Sequence, residues 1–139
     1  DKKLLAQEYN INIDGEDLSG VYASVNIANG PCYGGDKSAG VTAVPDDGFM
    51  DVLMFKGSST LQGLTKILPY AKGRYDRFPK DFTLKRGKII AIRSKDPLMI
   101  DLDGEAFLDT NITVELVKGA VNIAAPDNLS YKQRGVFHE

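Results

Sequence analysis

Hydrophobic and polar residues alternate over most of this chain, and that pattern predicts β-strands. The first alternating stretch covers residues 4 to 13 and ends at Asp14-Gly15, which is typical of a type I′ hairpin turn because that turn needs positive φ. A return strand with period two follows over residues 21 to 27, until Asn29-Gly30-Pro31 breaks it. Residues 49 to 55 form another strand, whose run of four apolar residues indicates burial on both faces.

One short helix is predicted between the hydroxyl residues 58–60, which are good N-caps, and Pro69, which ends or kinks a helix. Leucines spaced three and four apart give this segment an apolar face. From Phe82 onward the β pattern returns, and further strands are predicted over residues 89–92, 98–102 and 112–116, with 121–123 as a last candidate. Seven to nine strands with one helix predict a mostly β domain of the β-sandwich type.

Composition and charge then limit the class of protein. A chain of 139 residues suits one domain with a real core, and a net charge of -2 gives no basic field to gather nucleic acid. No run of about 18 apolar residues is present to span a membrane. The single cysteine, Cys32, excludes an internal disulfide and fits a reducing cytoplasm. Because the chain starts at Asp1 without a methionine, we expect a domain of a longer protein. The residues after Pro126 are polar, so residues 127–139 are expected to form a tail.

Three stretches, taken in order, resemble a known family. They are Asn29-Gly30 followed by Gly34-Gly35, then the loop from Ala43 to Asp51, and finally Asp101 to Glu105 followed by residues 112–116. Over residues 5 to 126 this series resembles the second domain of bacterial diacylglycerol kinases and YegS-type lipid kinases. Those enzymes are related to sphingosine and ceramide kinases and, by fold, to NAD kinases. The resemblance implies residues 1–126 as the β-sandwich domain.

The resemblance also implies an activity. The complete enzyme would carry an N-terminal α/β domain, whose Gly-Gly-Asp-Gly-Thr motif holds ATP, and would transfer the γ-phosphate to the hydroxyl of diacylglycerol or a similar lipid with the help of Mg²⁺. That motif is absent here. The near-match from Gly34 to Ser38 is interpreted as a turn. We therefore expect no nucleotide-binding residues in this chain and no activity without the N-terminal domain.

Glu105 is the predicted catalytic residue. In the family the glutamate of this turn accepts the proton of the lipid hydroxyl, and a carboxylate beside a metal–phosphate centre can do so. The simpler interpretation is a solvated hairpin glutamate. Asp14-Gly15-Glu16 repeats the tripeptide between plain strands, and Glu16 is interpreted as an ordinary hairpin residue. The neighbouring motifs, and not the tripeptide, carry the assignment.

A metal site is the second prediction. The resemblance implies that the backbone carbonyls of Val44 and Phe49 and the carboxylate of Asp47 bind a structural Mg²⁺. Hard oxygen ligands in a tight loop suit Mg²⁺ or Ca²⁺. The alternative is a simple turn in which an aspartate caps local N–H groups.

The remaining expectations concern partners. Lys72, Arg74 and Arg77 lie among aromatic residues and could touch lipid headgroups, although a solvated helix end is the favoured interpretation. We expect a cytoplasmic protein, peripherally associated with the membrane where it meets its lipid substrate. Exposed β edges would allow a homodimer. Two other functions stay open: a noncatalytic β-sandwich that binds a ligand or partner, and an NAD kinase-like enzyme with a soluble substrate.

Overall fold

The computed structural model describes residues 6–31, 42–57, 65–66, 69–70 and 72–124. In this part of the chain, eight strands form two antiparallel sheets, so the prediction of a mostly β, sandwich-like domain is confirmed. The strands are β1 (Gln7–Ile13), β2 (Glu16–Asp17), β3 (Gly20–Tyr22), β4 (Ser24–Ala28), β5 (Met50–Phe55), β6 (Phe82–Gly87), β7 (Ile89–Leu102) and β8 (Glu105–Glu115).

The larger sheet has the order β2-β1-β7-β8, with β3 paired to β1 as well. The smaller sheet has the order β4-β5-β6. Side chains of β1 and β7 pack against alternate residues of β5, because successive residues of a strand point to opposite faces. The members of this core cluster are Ile11, Ile13, Tyr22, Met50, Val52, Met54, Ile90, Ile92 and Leu98.

The strand predicted to be buried on both faces is β5. Val52 and Met54 are fully buried in the main core, while Leu53 points the other way and packs with Tyr75 and Phe82. A central strand covered on both sides needs apolar residues at consecutive positions, which explains the continuous run. One polar side chain, Asp51, is buried within this strand at 1% exposure.

The single return strand predicted over residues 21 to 27 is wrong. The chain changes sheets at Ala23: β3 pairs with β1, and β4 pairs with β5. The Ala23 N–H already donates to the Phe55 carbonyl of the second sheet at 2.7 Å. The alternation of apolar and polar residues continues across such a crossing, because it depends on the extended local backbone and not on which strand is the pairing partner.

Residues 89–92 and 98–102, which were predicted as two strands, form the single strand β7. The register shifts between Arg93 and Leu98, so the residues between them make an irregularity of the β-bulge type. Pro97 lies there, where a missing N–H costs no ladder hydrogen bond. The candidate strand at residues 121–123 is wrong, since these residues are exposed and lie in no strand.

Most of the predicted helix lies outside the described residues. Thr65, Lys66, Pro69 and Tyr70 are helical. The N–H groups of Lys72 and Arg74 both donate to the Pro69 carbonyl, at 3.2 and 2.8 Å, which turns the chain into a short 3₁₀ helix at Tyr75–Arg77. The predicted end near Pro69 agrees with this turn.

Candidate functional site

The two Asp-Gly-Glu tripeptides adopt the same turn. Asp103 and Gly104 have φ of 51° and 99°, and Asp14 and Gly15 have φ of 50° and 93°. Each turn is braced by the residue two positions before its aspartate: Asp101 accepts from the Gly104 N–H at 2.8 Å, as Asn12 does from Gly15 at 2.9 Å. Positive φ at both central positions defines a type I′ hairpin, so the local sequence determines this geometry.

The surroundings of the two turns differ. The Asp14 carboxylate accepts the backbone N–H groups of Lys88 and Ile89, at 2.9 and 2.8 Å, and so fastens the first turn to the connection between β6 and β7. Glu16 forms an ion pair with Lys85 of the smaller sheet, at 2.6 Å. The first tripeptide therefore links the two sheets, which gives Glu16 and its neighbours a structural role.

Glu105 lies at the tip of the ribbon formed by β7 and β8. Every residue from 101 to 111 is exposed, so this part of the ribbon is an arm that projects from the sandwich. Glu105 pairs with Leu102, and Phe107 pairs with Ile100, which places all four side chains on one face because cross-strand partners share a face. Leu102 is 60% exposed and Phe107 is 42% exposed. The carboxylate thus stands at the end of an uncovered apolar stripe.

The predicted metal ligands lie together on one tight loop. The Asp47 N–H donates to the Val44 carbonyl at 3.2 Å, and Asp47 Oδ1 accepts from the Phe49 N–H at 2.9 Å. Asp47 Oδ2 forms an ion pair with the guanidinium Nη2 of Arg86 on β6. Both carboxylate oxygens therefore already have donors, as in the simple-turn alternative.

A polar cluster connects the exposed Arg86 to the buried Asp51. The Arg86 Nε donates to Asp51 Oδ1 at 3.1 Å, and Thr42 donates to Asp51 Oδ2. Tyr75 is buried nearby, and its hydroxyl makes no hydrogen bond of good geometry within the described residues. Burial, and then the charge of Asp51, raise the pKa of Tyr75 to about 12.

Sequence reasoning missed Asp51 and Arg86 as a pair. A charged residue within the apolar run of β5 was an available signal, because a buried carboxylate needs a partner. Nothing local could have identified Arg86, which meets Asp51 through the register of β5 with β6.

The two predicted sites lie at opposite ends of β7. The Asp47 loop contacts Arg86, just before β7 begins, whereas Glu105 pairs with Leu102, where β7 ends. This strand has 14 residues, which corresponds to roughly 45 Å of backbone when fully extended. The Asp47 loop and Glu105 therefore belong to two separate sites.

The basic stretch after Pro69 divides into two layers. Tyr75 is buried, and Tyr70 and Phe78 pack partly buried around Leu53 and Phe82. Lys72, Arg74 and Arg77 are exposed. The aromatic residues therefore belong to the second core, and the cations lie on the surface as a solvated segment would.

The Gly34-to-Ser38 near-match lies outside the described residues. Within the described ranges, no three His, Cys, Asp or Glu side chains form a metal-binding group. None of the helices described there has the length and apolarity to cross a bilayer.

The two antiparallel sheets define a β-sandwich, and comparison with known proteins assigns its family. The chain matches the model of the YegS C-terminal NAD kinase beta sandwich-like domain over residues 2–125, and it belongs to that family. A protein of Staphylococcus haemolyticus named "Putative lipid kinase" is 30% identical over 127 residues, which cover 87% of this chain and 40% of that protein. A protein of Staphylococcus carnosus with the same name is 28% identical, with 84% and 38% covered.

A crystal structure from Bacillus anthracis, described as a putative diacylglycerol kinase, superposes with a TM-score of 0.68 at 25% identity. The superposition covers 82% of this chain and 39% of that one. The chain thus spans about 40% of the length of the relatives that it matches.

Proposed function

We propose that this chain is the C-terminal domain of an ATP-dependent lipid kinase and that Glu105 is its catalytic base. Membership of the family and the names of the relatives support a kinase acting on a lipid. The observation that carries the residue assignment is the contrast between the twin glutamates. Glu16 is paired with Lys85, whereas Glu105, within the described residues, has no cation at ion-pair distance and is presented on an exposed arm.

In the proposed reaction, the Glu105 carboxylate accepts the proton of the lipid hydroxyl as that oxygen attacks the γ-phosphate of ATP. ATP and its Mg²⁺ would be held mainly by a nucleotide-binding domain, and a divalent ion supplies charge neutralisation at the phosphates. Diacylglycerol is the proposed substrate. The apolar face shared by Glu105, Leu102 and Phe107 supports a substrate with acyl chains, since such a face binds hydrocarbon in preference to water.

A soluble enzyme that phosphorylates a membrane lipid has to work at the bilayer surface, so we propose a cytoplasmic, peripherally membrane-associated protein. Among the described residues, the long strand β8 is an edge of the larger sheet and pairs with β7 alone, so its outer backbone groups are proposed to pair with a second copy in a homodimer. Light scattering of the purified protein measures the mass directly, and a strictly monomeric mass at micromolar concentration would contradict the dimer.

The decisive experiment compares Glu105→Gln with Glu16→Gln in the full-length protein that contains this chain. Phosphorylation of diacylglycerol in mixed micelles is measured with radiolabelled ATP. Glu105→Gln should lower kcat by about 10²- to 10⁴-fold, because general-base catalysis contributes that much. The matched control Glu16→Gln should retain kcat within about threefold, since it changes only an exposed ion pair. Comparable turnover in both variants would refute the assignment of the base.

A further inference from the structure

The Mg²⁺ site implied by the resemblance does not fit the contacts of its own residues. Of the three predicted ligands, the only side chain is that of Asp47, and both of its oxygens have donors: the Phe49 N–H and the Arg86 guanidinium. The Val44 carbonyl accepts the Asp47 N–H. A divalent ion at this loop would have to displace Arg86 from the carboxylate.

Further positive charges surround the loop. The Arg86 guanidinium lies 5.0 Å from the centre of the Phe49 ring, and the Lys88 ammonium lies 5.0 Å from the same centre. Lys118 is a third cation near the loop, because a Cβ added to Gly48 would lie 3.9 Å from its ammonium. These three cations offset the negative charges of Asp46, Asp47 and Asp51 and so disfavour the entry of a divalent cation.

The position of Arg86 is also fixed from the core side. Its Nε donates to the carboxylate of Asp51, which is 1% exposed and also accepts from the Thr42 hydroxyl. A buried carboxylate needs a counter-charge. A guanidinium can bridge two carboxylates because its five N–H donors lie in one plane and point outward from different edges of the group. Arg86 thus joins the surface carboxylate of Asp47 to the buried carboxylate of Asp51.

We propose that Arg86 occupies the cation position of the loop at residues 44–49 and excludes a divalent metal from it. The guanidinium balances the two carboxylates that would otherwise attract Mg²⁺ or Ca²⁺, so the loop folds without a metal. This inference does not depend on the proposed kinase activity, because it concerns only the charges of the loop and of β6.

The test is a titration of the metal-free chain with MgCl₂ and CaCl₂ up to 10 mM at constant ionic strength. The amide NMR signals of Asp47 and Phe49 report on the loop, and isothermal titration calorimetry reports on binding. We expect no saturable change in the wild type. In Arg86→Met, which keeps an apolar stem without the charge, the same signals should shift saturably with a dissociation constant on the order of 1 mM. Adding Asp47→Asn to that variant should abolish the response.

Lys85→Met is the matched control, because it removes the neighbouring cation of β6 that pairs with exposed Glu16. Its metal response should equal that of the wild type. If Arg86→Met does not fold, Arg86→Gln replaces it in the comparison with the wild type, because glutamine keeps hydrogen-bond donors without the charge. Saturable binding at Asp47 and Phe49 in the wild type would overturn the proposal. It would also be overturned if a folded, uncharged variant at position 86 bound metal no better than the wild type.

Discussion

Asp14 and Asp103 provide a matched pair for measuring how strongly the first hairpin is held by the connection between β6 and β7. Both aspartates occupy the same position of the same turn, with φ of 50° and 51°. Only the Asp14 carboxylate, within the described residues, accepts backbone N–H groups from another segment, those of Lys88 and Ile89. Replacing each aspartate by alanine removes the side-chain oxygens while imposing the same backbone penalty.

The expected magnitudes follow from these contacts. Alanine in the left-handed conformation costs about 1 kcal/mol in either variant. A hydrogen bond to a charged group contributes about 1.5–3 kcal/mol when buried, and the exposure of Asp14 reduces each of its two bonds to about 1 kcal/mol. We therefore expect Asp14→Ala to lower the free energy of unfolding by about 3 kcal/mol and Asp103→Ala by about 1 kcal/mol. For a chain of this size the difference corresponds to about 8 °C in Tm.

Urea unfolding of the chain, followed by far-UV circular dichroism, measures both free energies. Tyrosine fluorescence provides a second probe, because the sequence contains no tryptophan. If the two variants are destabilised equally, the Asp14 bonds to the connection between β6 and β7 do not contribute to stability. The reasoning would then be refuted, and the two turns would have to be regarded as equivalent.

Three further predictions concern Tyr75, Gly87 and the activity of the chain alone. The raised pKa of Tyr75, near 12, lies above the value near 10 of an unfolded tyrosine; the unfolded state therefore ionises first, and stability should fall from pH 10 to 12. Urea unfolding across that range should show a smaller fall in the free energy of unfolding for Tyr75→Phe than for the wild type. An equal fall in both proteins would show that Tyr75 does not cause the pH dependence. Gly87→Ala should lower the free energy of unfolding by about 1–3 kcal/mol, because the new Cβ would overlap with the Ile13 side chain; unchanged stability in urea would show that β1 can move away. The 139-residue chain alone should show no ATP-dependent phosphorylation of diacylglycerol in the micelle assay, and turnover above background would contradict the need for a nucleotide-binding domain.

The sequence by itself determined the local features of this protein. Asp-Gly pairs require positive φ and so predicted both hairpin turns, and the apolar run of β5 predicted a strand covered on both faces. Strand type could be predicted because alternation is a property of consecutive residues. The order of the motifs also indicated the family, and the family match confirmed it.

Only the tertiary structure decided which segments meet. Alternation did not reveal that the chain crosses between sheets at Ala23, and identical tripeptides did not reveal that Glu16 is paired while Glu105 lies on an exposed arm. The loop sequence likewise gave no sign of Arg86, which is 39 residues from Asp47 along the chain. Contacts of that kind depend on strand register, and register is set by the packing of the whole core rather than by neighbours in sequence.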